Sequence, residues 1–442
     1  MNAPVNEITR ELAEFAGSIT FDSLPDEVIQ MAKCAVIDFV GCALRGSVEA
    51  VTEIIGEELF AEKLTPKQLF SAGIRHANPT SLARLYAVAG HAIDYDDTHP
   101  HRGMHTGSPV IGAVLAVAGT RPITGEEVIT AVVAGYEVAI RVGNLLDIAH
   151  YQQGFHTTGT VAIFGAAVAV ARLLNLNTEQ MRQVLGLATT QAAGVKCTFG
   201  TMAKPFNAGA AAANGLLAAS LISRGFTAPI SSLEESKGFL DLYGGLDTAE
   251  CNLPAPDNWL ILENVFKLHA ACLATHPMIF GLERLREAQN FRVEDIESVL
   301  LKVAPLALAT ASIIEPQSPL DGKFCFPQIA SLVIAGWDTS SEQSFSSEAL
   351  VDTEVVALRR KISVESDSEI DARKTRVEII LRGGDVISLD ADIDQGPSTL
   401  KDIAPLVEAK FLSNAGYVLG DERAESVLKV LTTIEKADSL IL

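Results

Sequence analysis

From the amino terminus to about residue 265, apolar positions recur every three to four residues. PDEVIQMAKCAVIDFVGCAL (25–44), TGEEVITAVVAGYEVAIRVGNLL (124–146) and NTEQMRQVLGLATTQAAG (177–194) combine acidic first turns, apolar stripes and glycine near their ends. The spacing predicts helices, with Thr124 and Thr178 as N-caps because acidic residues follow each of them. FNAGAAAANGLLAASLISRG (206–225) is dominated by Ala and Gly, whose small side chains let helices approach closely. A compact bundle with several fully buried members is therefore expected.

After residue 270 the period shortens to two. IESVLLKVAP (296–305) and TRVEIILRGGDVISLDADI (375–393) alternate β-branched and polar residues, and Arg382-Gly383-Gly384-Asp385 supplies a hairpin turn. HPMIFGLERLREAQ (276–289) and FPQIASLVIAG (326–336) read as helices set among these strands, which describes a small α+β unit. The polar stretch DTSSEQSFSSEAL (338–350) reads as an exposed loop, and the chain from LKDIAPLVEAKFL (400–412) onward is helical again.

Composition narrows the function classes. The 442 residues, 48% apolar and 20% charged, describe a soluble protein with a large core. A net charge of -21, with no run of Lys or Arg to override it, excludes nucleic acid and anionic membrane surfaces as partners. A small anionic substrate would need a local cationic island, which directs attention to clustered His, Lys and Arg. The apolar runs 160–176 and 128–146 are interrupted by Arg172 and by Glu137 and Arg141, so both read as core helices and not as membrane spans. The acidic start MNAPVNEITRELAEFAGSI lacks the features of a signal peptide. Cys34, Cys42, Cys197, Cys251, Cys272 and Cys325 form no CxxC pair, which fits reduced thiols in the cytoplasm and gives no support for an iron-sulfur cluster.

The chemistry concentrates in GHAIDYDDTHPHRGMHTGSPV (90–110), with three aspartates and four histidines at the end of an apolar helix. Carboxylates at a helix C-terminus oppose the helix dipole, so local stability does not account for them. Three readings stand: Asp and Thr as loop caps, His and Asp as metal ligands, or histidines that move protons while aspartates hold their tautomer and charge. The spacing His99-x-His101 matches no established zinc signature. GFHTTGT (His156), GTMAKPFNAG (Lys204), FKLHAACLATHP (Lys267, His269, His276) and GKFCFPQ (Lys323) favour the third. With the first stretch they hold seven of the nine histidines.

In this order, CAVIDFVGCALRGS, HAIDYDDTH followed by HTGS, GFHTTGT, GTMAKPFNAG, FKLHAACLATHP and GKFCFPQIAS make the chain resemble the MmgE/PrpD family. That family includes 2-methylcitrate dehydratase, cis-aconitate decarboxylase and iminodisuccinate epimerase. The resemblance implies a mainly α protein: a large all-helical bundle domain (residues 1–267 and 398–442) with an inserted, smaller α+β domain (268–397). It also implies a cytoplasmic homodimer and an active site between the domains, with no metal and no cofactor. Carried over by motif, Asp94, His105, His156 and Lys204 are the catalytic candidates, and Thr98, Lys267, His269, His276 and Gln328 the substrate-binding ones. Two positions depart from the family pattern. Cys325 and Gln328 stand where the family often carries Ser and then Tyr, and at the second an amide replaces a hydroxyl that could donate a proton.

The reactions of the family share one demand, proton removal or delivery at carbon next to a carboxylate of a small di- or tricarboxylic acid. That needs a positioned base and stabilisation of charge on the carboxylate oxygens. His156 or His105 is the expected base, with Asp94 orienting or charging a partner imidazole, Thr98 binding a substrate carboxylate, and Lys204 and the histidines meeting the charge. Loss of the Tyr-type donor at Gln328 tilts the reading toward an epimerase over a dehydratase or decarboxylase. A carboxylate-binding protein without activity and a metal-dependent hydrolase are the competing readings.

Overall fold

The central helices are buried on all sides, so their apolar surface is spent entirely on one another. In the computed structural model, which describes residues 7–60, 77–101, 103–146, 148–244, 253–288, 292–393, 396–397 and 399–439, the chain is mainly α with one small mixed sheet. It divides into two compact units, one of residues up to Phe266 together with those from Val407, the other Lys267–Leu406. The second boundary falls inside the helix Leu400–Leu419, downstream of the residue 398 boundary expected from the sequence.

In the first unit, helix Ala162–Leu173 packs against Gly125–Asn144 and Ala203–Ser223, and the last of these packs against Pro79–His91. Small residues make this possible. A Cβ on Gly165 would lie 2.4 Å from the Gly135 carbonyl oxygen, so these two helices cross at a spacing that only Gly permits. Thr124 caps the helix Gly125–Asn144 in a capping box with Glu127, as its sequence context predicts. The cap of Thr178–Thr189 is instead Asn177, whose side chain accepts from Gln180 N, and Thr178 is the first helical residue. Among the described residues, Ala203–Ser223 is the one helix long and apolar enough to cross a membrane, and more than half of its apolar window is buried inside the protein.

The charges on Gly125–Asn144 are fasteners. Glu137 accepts from Ile261 N and pairs with Arg141, which donates to the carbonyls of Pro254, Ala255 and Asn258. Burial pushes the Glu137 carboxyl up to about 7, and Arg141 and the Ile261 N–H oppose that push.

The second unit holds a four-stranded sheet of order β2-β1-β3-β4, with β1 Ile296–Val303, β2 Ile362–Ser366, β3 Lys374–Leu381 and β4 Val386–Asp392. The predicted hairpin is β3–β4, and Gly383 and Gly384 take the positive φ that its turn requires. Strand β2, parallel to β1, was not legible: ISVES is short and only Ile362 in it is buried. Helix His276–Ala288 covers β3 and β4 and packs on Phe326–Ala335. The stretch 338–350 is not a plain exposed loop. Ser341 and Ser346 cap the short helices Glu342–Phe345 and Ser347–Val351, and Thr339, Ser344, Phe345 and Ala349 are buried.

Candidate active site

Helix Pro79–His91 ends at the residue that begins the acidic stretch. The chain leaves it through Ala92 and reverses at Asp94, whose φ of 52° is a left-handed conformation that an L-residue adopts at a cost of about 1 kcal/mol. This turn sends Asp94 and Asp96 to the same place as His91, and the next helix, Gly107–Ala118, starts just after His105. Asp97 fastens the two ends: its Oδ1 accepts from Gly107 N at 3.1 Å, and its Oδ2 from Tyr136 Oη and Asn264 Nδ2, both at 2.7 Å. Burial and the nearby Asp38 push the Asp97 carboxyl up to about 7 against these donors.

Asp96 is the hub of the cluster. Its carboxylate faces Nδ1 of His91 at 2.9 and 3.0 Å and Nδ1 of His105 at 3.2 Å, and accepts from Ser108 Oγ at 2.6 Å. Burial alone would raise this carboxyl, but His91 and His105 hold it well below the usual range, so it stays ionised. An ionised carboxylate only accepts, so both imidazoles carry a proton on Nδ1 and present Nε2 to their surroundings. The rings of His91 and His105 lie 4.4 Å apart. The imidazole-orienting carboxylate is thus Asp96, not Asp94 as read from the motif.

Asp94 pairs instead with Lys204 and lies 3.7 Å from His105 Nε2. Lys204 enters in the first turn of Ala203–Ser223, where the helix dipole repels a cation. The ion pair with Asp94 offsets this, and the result is a buried ammonium beside the imidazoles. His156 follows on a separate segment. Its ring stacks 6.0 Å from His91, meets Phe199 edge-on, and accepts at Nδ1 from Asn207 Nδ2 at 3.0 Å. Burial, with Lys204 next, holds the His156 imidazole well below its usual range, so it is neutral. Thr158 Oγ1 accepts from His105 N and Thr157 Oγ1 donates to Gly103 O, which locks the 103–105 and 156–158 segments together. Thr98 places its hydroxyl 3.3 Å from His105 Nδ1.

His91, Asp94, Asp96 and His105 offer ligand atoms within 4.8 Å of one another, a spacing that suits a metal ion. In this arrangement the Lys204 ammonium supplies positive charge at Asp94, and direct imidazole-carboxylate hydrogen bonds occupy Asp96, so the same charges are balanced from within. The other two histidines of the stretch stand apart: His99 is paired with Glu263 at 3.3 Å, and His101 is exposed.

The remaining predicted residues belong to the second unit. His269 Nδ1 lies 2.8 Å from Thr339 Oγ1, its ring is edge-on to His276 at 5.3 Å, and burial lowers it to about 4. Lys267 is buried. Lys323 pairs with Glu342 at 2.6 Å. Gln328 has its carboxamide engaged on both sides, accepting from Arg359 Nη1 and donating to Ala349 O. Both contacts fix the orientation of the carboxamide.

His91 and Asn207 were not singled out from the sequence. Asn207 carried a usable signal: it lies one turn beyond Lys204 on one helix face. His91 carried none, because a terminal helix histidine is ordinary until a carboxylate five residues on folds back to it.

Residues 10–252 match the family model described as the MmgE/PrpD N-terminal domain, and residues 269–435 that of the MmgE/PrpD C-terminal domain. Among curated relatives, a cis-aconitate decarboxylase of Aspergillus terreus (strain NIH 2624 / FGSC A1156) is 23% identical, the alignment covering 97% of this chain and 93% of the relative. The cis-aconitate decarboxylase of Homo sapiens is 24% identical, covering 98% and 92%.

Proposed function

Because the chain belongs to the MmgE/PrpD family, we propose that it is an enzyme moving a proton at the carbon next to a carboxylate of a small di- or tricarboxylic acid. The observation that carries this reading is the Asp96 clamp. A buried, ionised carboxylate holds His105 with its proton on Nδ1, leaving the Nε2 lone pair beside Asp94 and Lys204. His105 is then the base that accepts the α-proton, a role worth about 10²–10⁴-fold in rate. As the proton leaves, electron density moves onto the substrate carboxylate, and the Lys204 ammonium meets it; one such preorganised donor is worth about 10²–10³-fold. Asp94 keeps Lys204 in place, and Thr98 supplies a hydroxyl beside His105.

Two outcomes of that step have separate support. Relatives that align over nearly their whole length carry the name cis-aconitate decarboxylase, which favours a lyase. The amide at Gln328, where the family often has a Tyr-type acid, favours return of the proton to the same carbon, as in an epimerase. The buried polar groups of the second unit, Lys267, His269 and His276, are proposed to contribute to substrate binding. A cytoplasmic homodimer completes the proposal: the free thiols of Cys34, Cys42, Cys197 and Cys325 fit a reducing compartment, Cys251 lies outside the described residues, and light scattering on purified protein reads the dimer.

Proton NMR in deuterated water of the wild type with citrate, 2-methylcitrate, cis-aconitate and iminodisuccinate tests the reading. Deuterium at an α-carbon with the skeleton intact means an epimerase, new vinyl signals from saturated acids a dehydratase, and loss of CO2 from cis-aconitate a decarboxylase. His105→Gln abolishes whichever signal appears. Undiminished turnover in that variant removes His105 as the base, and silence of the folded wild type with all four acids refutes the proposed chemistry for this substrate set.

A further inference from the structure

The three imidazoles of the cluster do not present the same face. We infer that Thr198 and Asn207 hold His156 with its single proton on Nε2, so that it serves as a neutral hydrogen-bond donor to the substrate carboxylate and not as the base. The direction toward substrate rests on the function proposed above; the proton's position rests on hydrogen-bond bookkeeping alone.

The Thr198 hydroxyl donates its only proton to the Val195 carbonyl at 2.7 Å, so its oxygen is left as an acceptor. Asn207 approaches that oxygen at 3.2 Å, and the approaching atom must be the amide nitrogen. The flipped amide would set a carbonyl oxygen against a hydroxyl with no proton left to give. The same nitrogen lies 3.0 Å from His156 Nδ1. A donor at that distance obliges Nδ1 to accept, and a neutral imidazole whose Nδ1 accepts carries its proton on Nε2.

The backbone leaves little room for the ring to turn away, since His156 N donates to Gly194 O and the His156 carbonyl accepts from Gly159 N and Thr160 N. Phe199 closes one side at a ring separation of 5.0 Å. The charged and titratable groups that face the imidazole are Lys204, His91, His105 and Asp94; the ammonium and the neighbouring imidazoles oppose a second proton, and Asp94 favours one. His91 and His105 have the opposite polarity, because a carboxylate stands behind each Nδ1. The cluster therefore has a lone-pair side, organised by Asp96, and a proton side, organised by Asn207. A neutral imidazole donor meets developing negative charge on an oxygen without having to give up its proton.

The test uses the full-length protein labelled with ¹⁵N-histidine and long-range ¹H–¹⁵N spectra near neutral pH, with His156→Gln to identify the His156 signals. In the wild type, His156 shows a protonated Nε2 and an unprotonated Nδ1. Asn207→Asp places a carboxylate against Nδ1 and draws a proton onto that atom, and Thr198→Val releases the amide and yields a mixture of tautomers. Turnover of whichever acid is processed falls at least about tenfold in Asn207→Asp. Addition of saturating propane-1,2,3-tricarboxylate to the wild type shifts the Nε2 proton downfield and leaves Nδ1 unprotonated. A protonated Nδ1 in the wild type, or a tautomer that Asn207→Asp does not change, overturns the inference whatever the activity assays show. An Nε2 proton that the tricarboxylate does not perturb overturns the donor role. If the tautomer is as stated and no acid is turned over, the proposed reaction fails and the assignment of the His156 proton by Thr198 and Asn207 stands.

Discussion

Lys410 is the buried cation on which the geometry of the acidic stretch depends, and replacing it with Met has a calculable effect. Its ammonium donates to Asp38 Oδ1 and to the Tyr95 carbonyl, both at 2.6 Å, and lies 3.8 Å from the centre of the Tyr95 ring. Asp38 Oδ2 in turn accepts from Asp97 N at 3.0 Å. Lys410 thus reaches both sides of the Tyr95-Asp96-Asp97 run from a helix more than three hundred residues downstream. Burial pushes the Asp38 carboxyl up, and Lys410 opposes that push. Burial likewise works against the Lys410 ammonium, and Asp38 more than restores it. Met preserves most of the volume but leaves a buried carboxylate without its cation, a loss of about 3–5 kcal/mol. With a denaturant dependence of about 3 kcal/mol per molar urea, the unfolding midpoint falls by about 1–1.7 M. In the variant, Asp38 is raised still further above its unfolded value near 4. The folded state then holds that proton more tightly, so the deficit is smallest in acid and grows as pH rises through the folded pKa. Urea unfolding followed by circular dichroism at pH 5.5 and 8.5 measures this. Asp38→Asn in the Lys410→Met background removes the stranded charge, keeps an acceptor for Asp97 N, and recovers at least half of the loss. A loss under about 1 kcal/mol at pH 8.5, no difference between the two pH values, or a double variant no better than the single refutes the reasoning.

Gly107→Ala puts a Cβ 2.3 Å from Asp97 Oδ1 and 2.6 Å from the Tyr136 hydroxyl; stability falls by about 1–3 kcal/mol in thermal unfolding, and turnover falls with it because His105 lies two residues away. Dialysis against a strong chelator leaves turnover unchanged, since Lys204 and the Asp96 hydrogen bonds balance the charges of the His91, Asp94, Asp96 and His105 group; activity lost and then restored by zinc would contradict the acid-base reading. His269, lowered to about 4 by burial, has its folded pKa below its unfolded value. Its contribution is complete above pH 6.5 and is lost as pH falls toward 4, about 3 kcal/mol in all. Thermal scans at pH 7 and 4.5 show His269→Gln to be less acid-sensitive than the wild type, and equal sensitivity counts against that assignment.

Periodicity was enough to locate the long helices, the β3–β4 hairpin and the change of texture near residue 270, because burial on one face or on all faces imposes a repeat that local composition records. Strand β2 escaped because an edge strand of five residues with one buried position has no repeat to display. The stretch 338–350 looked like a loop because its buried residues are held by serine caps and by partners distant in the chain. Within the site, the sequence by itself determined which residue types gather, since unusual histidines and aspartates beside Gly-rich helix starts are visible without coordinates. It determined neither the pairing nor the proton positions. Only the tertiary structure decided that Asp96 and not Asp94 orients the imidazoles, that Lys204 finds Asp94 across 110 positions, and that Asn207 faces His156. The physical reason is that a hydrogen bond depends on distances of about 3 Å and on the direction of a lone pair, and these follow from how helices far apart in the chain cross, which no local pattern encodes.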